Sequence, residues 1–268
     1  MYQCILIVMF VILIEPAQAQ SGLFVRPNIG LQRYFGYLSG QYDRSTMKIN
    51  SWNEALDYSL HIEYKYAERY RISLGYTGFA LSGTSVRLRT NSINGIEMEL
   101  ASAIQLRQIQ SRFSYIVPRP WQAIPRRRTD KTSKVYRLNG RVEFFSGLDV
   151  AFLKPVDTLP DRVFSFDSGP DTLRTHTRYH LLRSGGVSLT LGVSVRFNRR
   201  GKERMMMSVF YRQGFRPHLQ QTITYYASAP ARTVQLQTDV LSRGSVLALN
   251  LSYPLRLYGS DRSTTTLP

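Results

Sequence analysis

The 268-residue sequence predicts an all-β protein, a single closed antiparallel up-and-down transmembrane β-barrel of eight strands preceded by a cleaved signal peptide. Two observations favour this class. Apolar and polar residues alternate with a period of two over several long segments, and 17 Tyr and 13 Phe supply the aromatic residues typical of barrel rims. The mean hydropathy of −0.23 excludes a bundle of membrane helices, because each helix would need about 20 nearly continuous apolar residues.

Residues 1–19 have the organisation of a signal peptide. The apolar run Ile5–Ile14 has the length of an h-region and is too short to span a bilayer. Pro16 ends the run, and small residues precede the expected cleavage site after Ala19. A retained anchor is the alternative, because the n-region has no Lys or Arg. The predicted organisation is therefore a signal peptide over 1–19, a barrel over 20–258 and a polar tail over 259–268.

The mature chain is expected to be strongly basic and free of cysteine. Lys and Arg number 35 against 18 Asp and Glu, and the signal peptide contains one acidic residue, Glu15, so the mature net charge is 35 minus 17, or +18. Cys4 lies in the signal peptide, which leaves no disulfide and no Cys-ligated metal. An exported protein meets little nucleic acid, so we expect outer-membrane lipid and lipopolysaccharide as partners of this charge.

The first half of the barrel is read from four segments. The first strand is expected at 22–33, and the clearest alternation follows at 55–66. A short turn then leads into 69–80, which completes a hairpin. The region 84–117 shows a phase slip; we count one strand there, with a helix over Glu97–Gln110 and a ten-strand barrel as alternatives. The side of the second strand predicted to face lipid consists of Leu56, Tyr58, Leu60, Ile62 and Tyr64.

The second half of the barrel continues the alternation. Strands are predicted at 135–152, 186–197, 204–215 and 245–258. In the last of these, the residues predicted to face lipid are Leu247, Leu249 and Leu251. The connections alternate between long and short, as expected for external loops and periplasmic turns. The periplasmic connection 118–134 is the exception in length.

That long connection is also the most basic part of the chain. Its arginines could bind anionic lipid headgroups while a tryptophan lies at the membrane interface, although a solvated loop is the alternative. The candidate residues for headgroup contact are Trp121, Arg126, Arg127 and Arg128.

The closing segment Gly244–Tyr258, together with the signal peptide and the Tyr-rich hairpins, resembles the outer-membrane β-barrel-domain family, the small OmpA/OmpX-like barrels. The resemblance implies a bacterial outer-membrane protein, expected to be monomeric. It also implies assembly by the barrel-insertion machinery, which recognises a last strand ending in an aromatic residue. Tyr258 is similar to that signal, but ten residues follow it.

No catalytic residue, cofactor or metal site is predicted. His61 shares the polar side of its strand with Ser59 and Glu63, which would suit a general base, but polar side chains also fill small barrel lumens. His176 and His180 have metal-ligand spacing only in a helix. We therefore expect a structural, adhesive or binding role. The alternatives are a lipid A acyl transferase or deacylase, and a soluble exported β-sandwich that binds carbohydrate.

Overall fold

Every regular element that the structure describes is a β-strand. The computed structural model describes residues 22–49, 54–66, 69–90, 95–118, 121–122, 139–153, 161–169, 171–199, 202–230 and 232–259. The predicted signal peptide, the end of the tail and Arg126, Arg127 and Arg128 lie outside these residues. The strands are β1 (Gly22–Ser39), β2 (Met47–Ile49), β3 (Glu54–Tyr66), β4 (Tyr70–Arg89), β5 (Glu97–Ile116), β6 (Trp121–Gln122), β7 (Asn139–Leu153), β8 (Arg162–Ser168), β9 (Asp171–Leu181), β10 (Gly185–Arg199), β11 (Lys202–Gly214), β12 (Leu219–Ala229), β13 (Arg232–Ser252) and β14 (Leu255–Gly259).

Eight strands form a closed antiparallel barrel, which confirms the predicted fold class and strand number. Hydrogen-bonded neighbours follow the order β1, β3, β4, β5, β7, β10, β11 and β13. The ring closes because β13 pairs with β11 on one side and with β1 on the other. Leu249 marks the closure, since it is opposite both Val209 of β11 and Leu31 of β1.

The region 84–117 contains the end of β4, which runs to Arg89, and the continuous strand β5, so the helical alternative over Glu97–Gln110 is wrong. The phase slip has a structural cause. Leu106 is an inward apolar residue, whereas two positions further on Gln108 is an inward polar one, and the neighbouring Ile109 faces outward. Apolar residues therefore change sides of the strand, because the interior is apolar at one level of the barrel and polar at another.

The two ends of the barrel differ. At one end, here called the turn end, Tyr66 at the end of β3 pairs with Tyr70 at the start of β4, and Gly22 pairs with Gly259. The connection between β5 and β7 begins and ends there too, as the strand count predicted. At the opposite end, here called the loop end, the connections are long. Pro254 separates β13 from β14, so the predicted last strand is two strands.

The loop end carries a second layer of structure that the sequence analysis treated as loops. Strands β8, β9 and β12 extend the sheet from residues 232–242 of β13. This sheet packs on β2 and the ends of β4 and β5, and the two layers form the distal lobe. The buried core of the lobe consists of Met47, Val86, Leu88, Leu100, Leu173, Ile223, Tyr225, Ala227 and Val240.

Candidate functional site in the barrel lumen

The barrel has a polar interior and an apolar exterior. Along β3, the outward residues Leu56, Tyr58, Leu60 and Ile62 are 47–52% exposed. The alternating inward residues Asp57, Ser59, His61 and Glu63 are 2–7% exposed. A soluble domain places its apolar face inward, so this barrel is built with the opposite arrangement.

The side predicted to face lipid is the outward side. Leu247, Leu249 and Leu251 of β13 are exposed, like the four residues of β3 named above, whereas Tyr64 is half-buried. Aromatic rings add to this surface, as Tyr70 stacks on Phe113 with 5.9 Å between ring centres. Contact of these residues with lipid stays a prediction.

An ion cluster fills the lumen at the turn end. Glu63 of β3 accepts bonds from three arginines on three other strands: the shortest N···O distances are 2.7 Å to Arg26, 2.5 Å to Arg71 and 3.2 Å to Arg196. Glu203 binds the same three arginines, at 2.6, 3.2 and 2.6 Å.

A sixth member completes the ion cluster. Glu143 of β7 accepts a hydrogen bond from Arg196 Nε. The cluster therefore holds three arginines and three glutamates, and it joins strands β1, β3, β4, β7, β10 and β11 across the lumen. Because both signs are present in equal number and the side chains are nearly buried, each charge is compensated where water is excluded.

A second polar level lies above the ion cluster. Asp149 of β7 accepts hydrogen bonds from Arg212 Nε of β11 and from the Thr190 hydroxyl of β10, each at 2.6 Å. Arg112 of β5 donates to the Gln110 carbonyl at 3.0 Å, and the Gln110 amide donates to the Thr77 hydroxyl at 3.0 Å. These bonds link β7 with β10 and β11, and separately β5 with β4.

Aromatic rings lie between these two levels. The guanidinium of Arg112 is 5.1 Å from the ring centre of Phe145 and 5.0 Å from that of Phe210, so it makes cation–π contacts with both. Gly192 creates the space for these rings. A Cβ atom at position 192 would lie 2.4 Å from the Phe145 ring and 2.6 Å from Cβ of Phe210.

The possible base arrangement around His61 is not formed. Glu63 is committed to its three arginines, and His61 is buried against Gly75 of the neighbouring strand. The lumen is thus a packed polar core whose side chains bind one another. Among the described residues, these contacts are made within the ion cluster around Glu63.

The other candidates from the sequence have separate outcomes. His176 and His180 lie on strand β9, so their spacing of four residues places them about 13 Å apart, too far to share a metal. In the described part of the chain, no cluster of three or more His, Cys, Asp or Glu is arranged to hold a metal ion. Met206 is buried between exposed Met205 and Met207, as expected for alternate residues of strand β11. Trp121 belongs to β6, whose backbone pairs with Gly140 of β7.

Most members of the ion cluster are not distinguished by the sequence pattern. Arg26, Arg196 and Glu203 were not singled out, although a signal was present for Arg196, which stands between the apolar residues Val195 and Phe197 in an alternating run. An isolated charge at an inward position of a barrel strand indicates a partner inside the lumen. The partner itself is visible only in the closed ring, because Glu63 and Arg196 are 133 residues apart.

Comparisons with known proteins found distant similarity to solved structures of outer-membrane proteins. No protein-family model and no curated protein matches the chain. It is similar to the outer membrane protein OprG from Pseudomonas aeruginosa, with 13% identity and a TM-score of 0.39 over 88% of this chain and 97% of that one. It is also similar to a major outer membrane protein from Thermus thermophilus, with 8% identity and a TM-score of 0.28 over 86% and 99%. Membership of the small OmpA/OmpX-like family stays a prediction.

The described residues contain no helix that is both long and apolar enough to cross a membrane.

Proposed function

We propose that this protein is an integral β-barrel of the bacterial outer membrane, anchored there to present its distal lobe, with a structural or binding role rather than a catalytic one. One observation carries the proposal: the outside of the barrel is apolar while its inside is charged. Large apolar side chains on every strand of the ring are more than a third exposed, including Leu74, Phe144 and Leu191. Such a continuous surface is far larger than the apolar patches of soluble monomers.

The lipid bilayer explains both halves of this arrangement. Hydrocarbon stabilises the exposed apolar side chains, and a closed ring leaves no unpaired strand edge inside it. The charged residues avoid hydrocarbon by facing the lumen, where they pair with one another. The soluble β-sandwich alternative requires the reverse orientation, with the leucines inside and the arginines outside.

The filled lumen argues for anchoring rather than transport. The ion cluster occupies the turn end, and the apolar core of the distal lobe lies at the loop end. Between them, Ile104, Leu106 and Leu219 form a further buried group. The same packing argues against the acyl transferase or deacylase alternative, since Glu63, the carboxylate predicted to orient His61, is bound by three arginines instead.

Membrane fractionation combined with a heat-modifiability gel tests the proposal. A folded barrel should sediment with the outer membrane and migrate differently before and after boiling. Recovery of the protein in the soluble periplasmic fraction, with no change of migration on boiling, would refute it. Conductance measurements in planar bilayers test the second part, for which we expect no stable open channel.

A further inference from the structure

Strand β9 carries a column of basic side chains on one side. Its residues 174–180 alternate strictly, so Thr175 and Thr177 are buried in the distal lobe while the intervening basic residues lie on the opposite, outer side. Alternate residues of a strand are about 6.7 Å apart, which spaces these groups evenly along the strand. We call this column the basic ladder; it consists of Arg174, His176, Arg178 and His180.

The ladder lies on a flat surface of hydrogen-bonding side chains. Directly opposite its four residues on β12, in the same order, are Tyr226, Thr224, Thr222 and Gln220. The next strand, β13, adds Gln235 opposite Tyr226 and Gln237 opposite Thr224, whereas the Thr222 hydroxyl donates to Asp239 of β13 at 2.7 Å. Amides and hydroxyls of this kind can donate and accept hydrogen bonds at many positions, and a tyrosine ring offers an apolar surface with a polar end.

Among the described residues, one acidic side chain forms ion pairs with the ladder, and these ion pairs are weak. Asp161 lies 3.3 Å from His176 Nε2 and 3.3 Å from Arg178 Nε. Asp161 and Arg178 are exposed and His176 is half-buried, and ion pairs at such a surface contribute at most about 1 kcal/mol each. An anionic ligand with several charges could therefore replace Asp161 on these donors.

The ladder begins at the edge of the apolar exterior of the barrel. Its lowest residue, His180, is in one row with Gln220 of β12, Leu241 of β13 and Tyr37 of β1. Tyr37 follows Ile29 and Leu31 along the outward side of β1, and the guanidinium of Arg243 lies 4.5 Å from its ring centre. From this row the ladder runs away from the barrel, towards the far end of the distal lobe.

We propose that the basic ladder binds the anionic saccharide chain of a neighbouring outer-leaflet glycolipid whose acyl chains lie against the apolar exterior. This inference rests on the proposed function, because it takes the row of His180 and Tyr37 as the membrane surface at the loop end. A saccharide chain that leaves the membrane there runs parallel to the ladder. Its phosphates or carboxylates accept hydrogen bonds from Arg174 and Arg178, and its hydroxyls bind the amides and hydroxyls beside them.

Binding of a labelled saccharide to the folded full chain in detergent micelles tests the proposal. The probe is the delipidated polysaccharide of a smooth lipopolysaccharide, followed by fluorescence anisotropy. In the variant Arg174→Gln/Arg178→Gln, affinity should fall about tenfold, because two charge-assisted contacts are lost. The matched control, Lys48→Gln/Arg87→Gln, removes two adjacent exposed cations from the opposite sheet of the lobe and should leave affinity within about twofold.

Three results would overturn the inference. Absence of binding to the unaltered protein excludes a saccharide site, and equal loss in the two double variants indicates general charge attraction. Equal retention of the protein by vesicles of phosphatidylcholine with lipid A alone and with full lipopolysaccharide assigns the contact to the lipid headgroup. Each preparation is first checked for heat-dependent migration, so failure of the barrel itself is recognised separately.

Discussion

Replacing Glu63 with glutamine should destabilise the barrel strongly. The glutamate carboxylate contacts three arginines and its side chain is 5% exposed, so Glu63→Gln leaves three buried arginines with two carboxylates. Removing one partner from a buried ion network costs about 3–5 kcal/mol, because the remaining charge loses its compensation. Glutamine keeps the size of the side chain, and the loss therefore reports charge rather than packing.

Urea unfolding of the barrel in phospholipid vesicles measures this effect. Glu97→Gln is the matched control, since Glu97 is 55% exposed and has a single ion-pair distance of 3.3 Å, to Arg87. Its cost should stay below about 1 kcal/mol. The double variant Glu63→Gln/Arg71→Gln restores the balance of charge, and we expect a smaller loss than in Glu63→Gln alone. Equal free energies of unfolding for Glu63→Gln and Glu97→Gln would refute the role of the ion cluster.

Three further predictions concern the barrel in its membrane. Leu60→Arg places a charge on the middle of the apolar side of β3 and should cost about 2–4 kcal/mol in bilayer folding, whereas Tyr66→Arg at the strand end should cost about 1 kcal/mol or less; equal costs would contradict the outward assignment. Deletion of residues 245–258 should abolish the heat-modifiable form, because β1 and β11 would lose their shared partner, while deletion of 260–268 should be tolerated. A protease applied to intact cells should spare residues 118–134. Cleavage there would indicate that the barrel has the opposite orientation in the membrane.

The strands of the barrel were predictable wherever one side met a single kind of environment. Leu56 and Leu60 alternate with Asp57 and Ser59, and the polar and apolar sides keep their identity along the whole of β3. In β5 the interior changes from apolar at Leu106 to polar further along, so the alternation slipped and a helix became an alternative. The alternation of apolar and polar residues depends on the environment on each side of a strand. The alternation becomes less regular where one side passes from an apolar to a polar environment.

Strand β9 of the distal lobe was not predictable from apolar alternation. In β9 both sides are polar: buried Thr175 and Thr177 alternate with Arg174, His176 and other basic residues. A search for apolar residues at every second position therefore passes over this strand. The ion cluster was not predictable for a different reason. Its members are distant in sequence, and their pairing depends on the register of the closed ring.

A spin label at Leu249 reports whether the apolar exterior of the barrel lies in hydrocarbon. The variant Leu249→Cys is suitable because Cys4, the one native cysteine, belongs to the predicted signal peptide. In vesicles, a nitroxide at this position should collide frequently with oxygen and rarely with a water-soluble nickel chelate, because it lies in hydrocarbon. A label at Ser168→Cys, on the exposed edge of the distal lobe, should show the opposite preference. Free access of the nickel chelate to position 249, or exclusion of both reagents from it, would contradict a lipid-facing exterior.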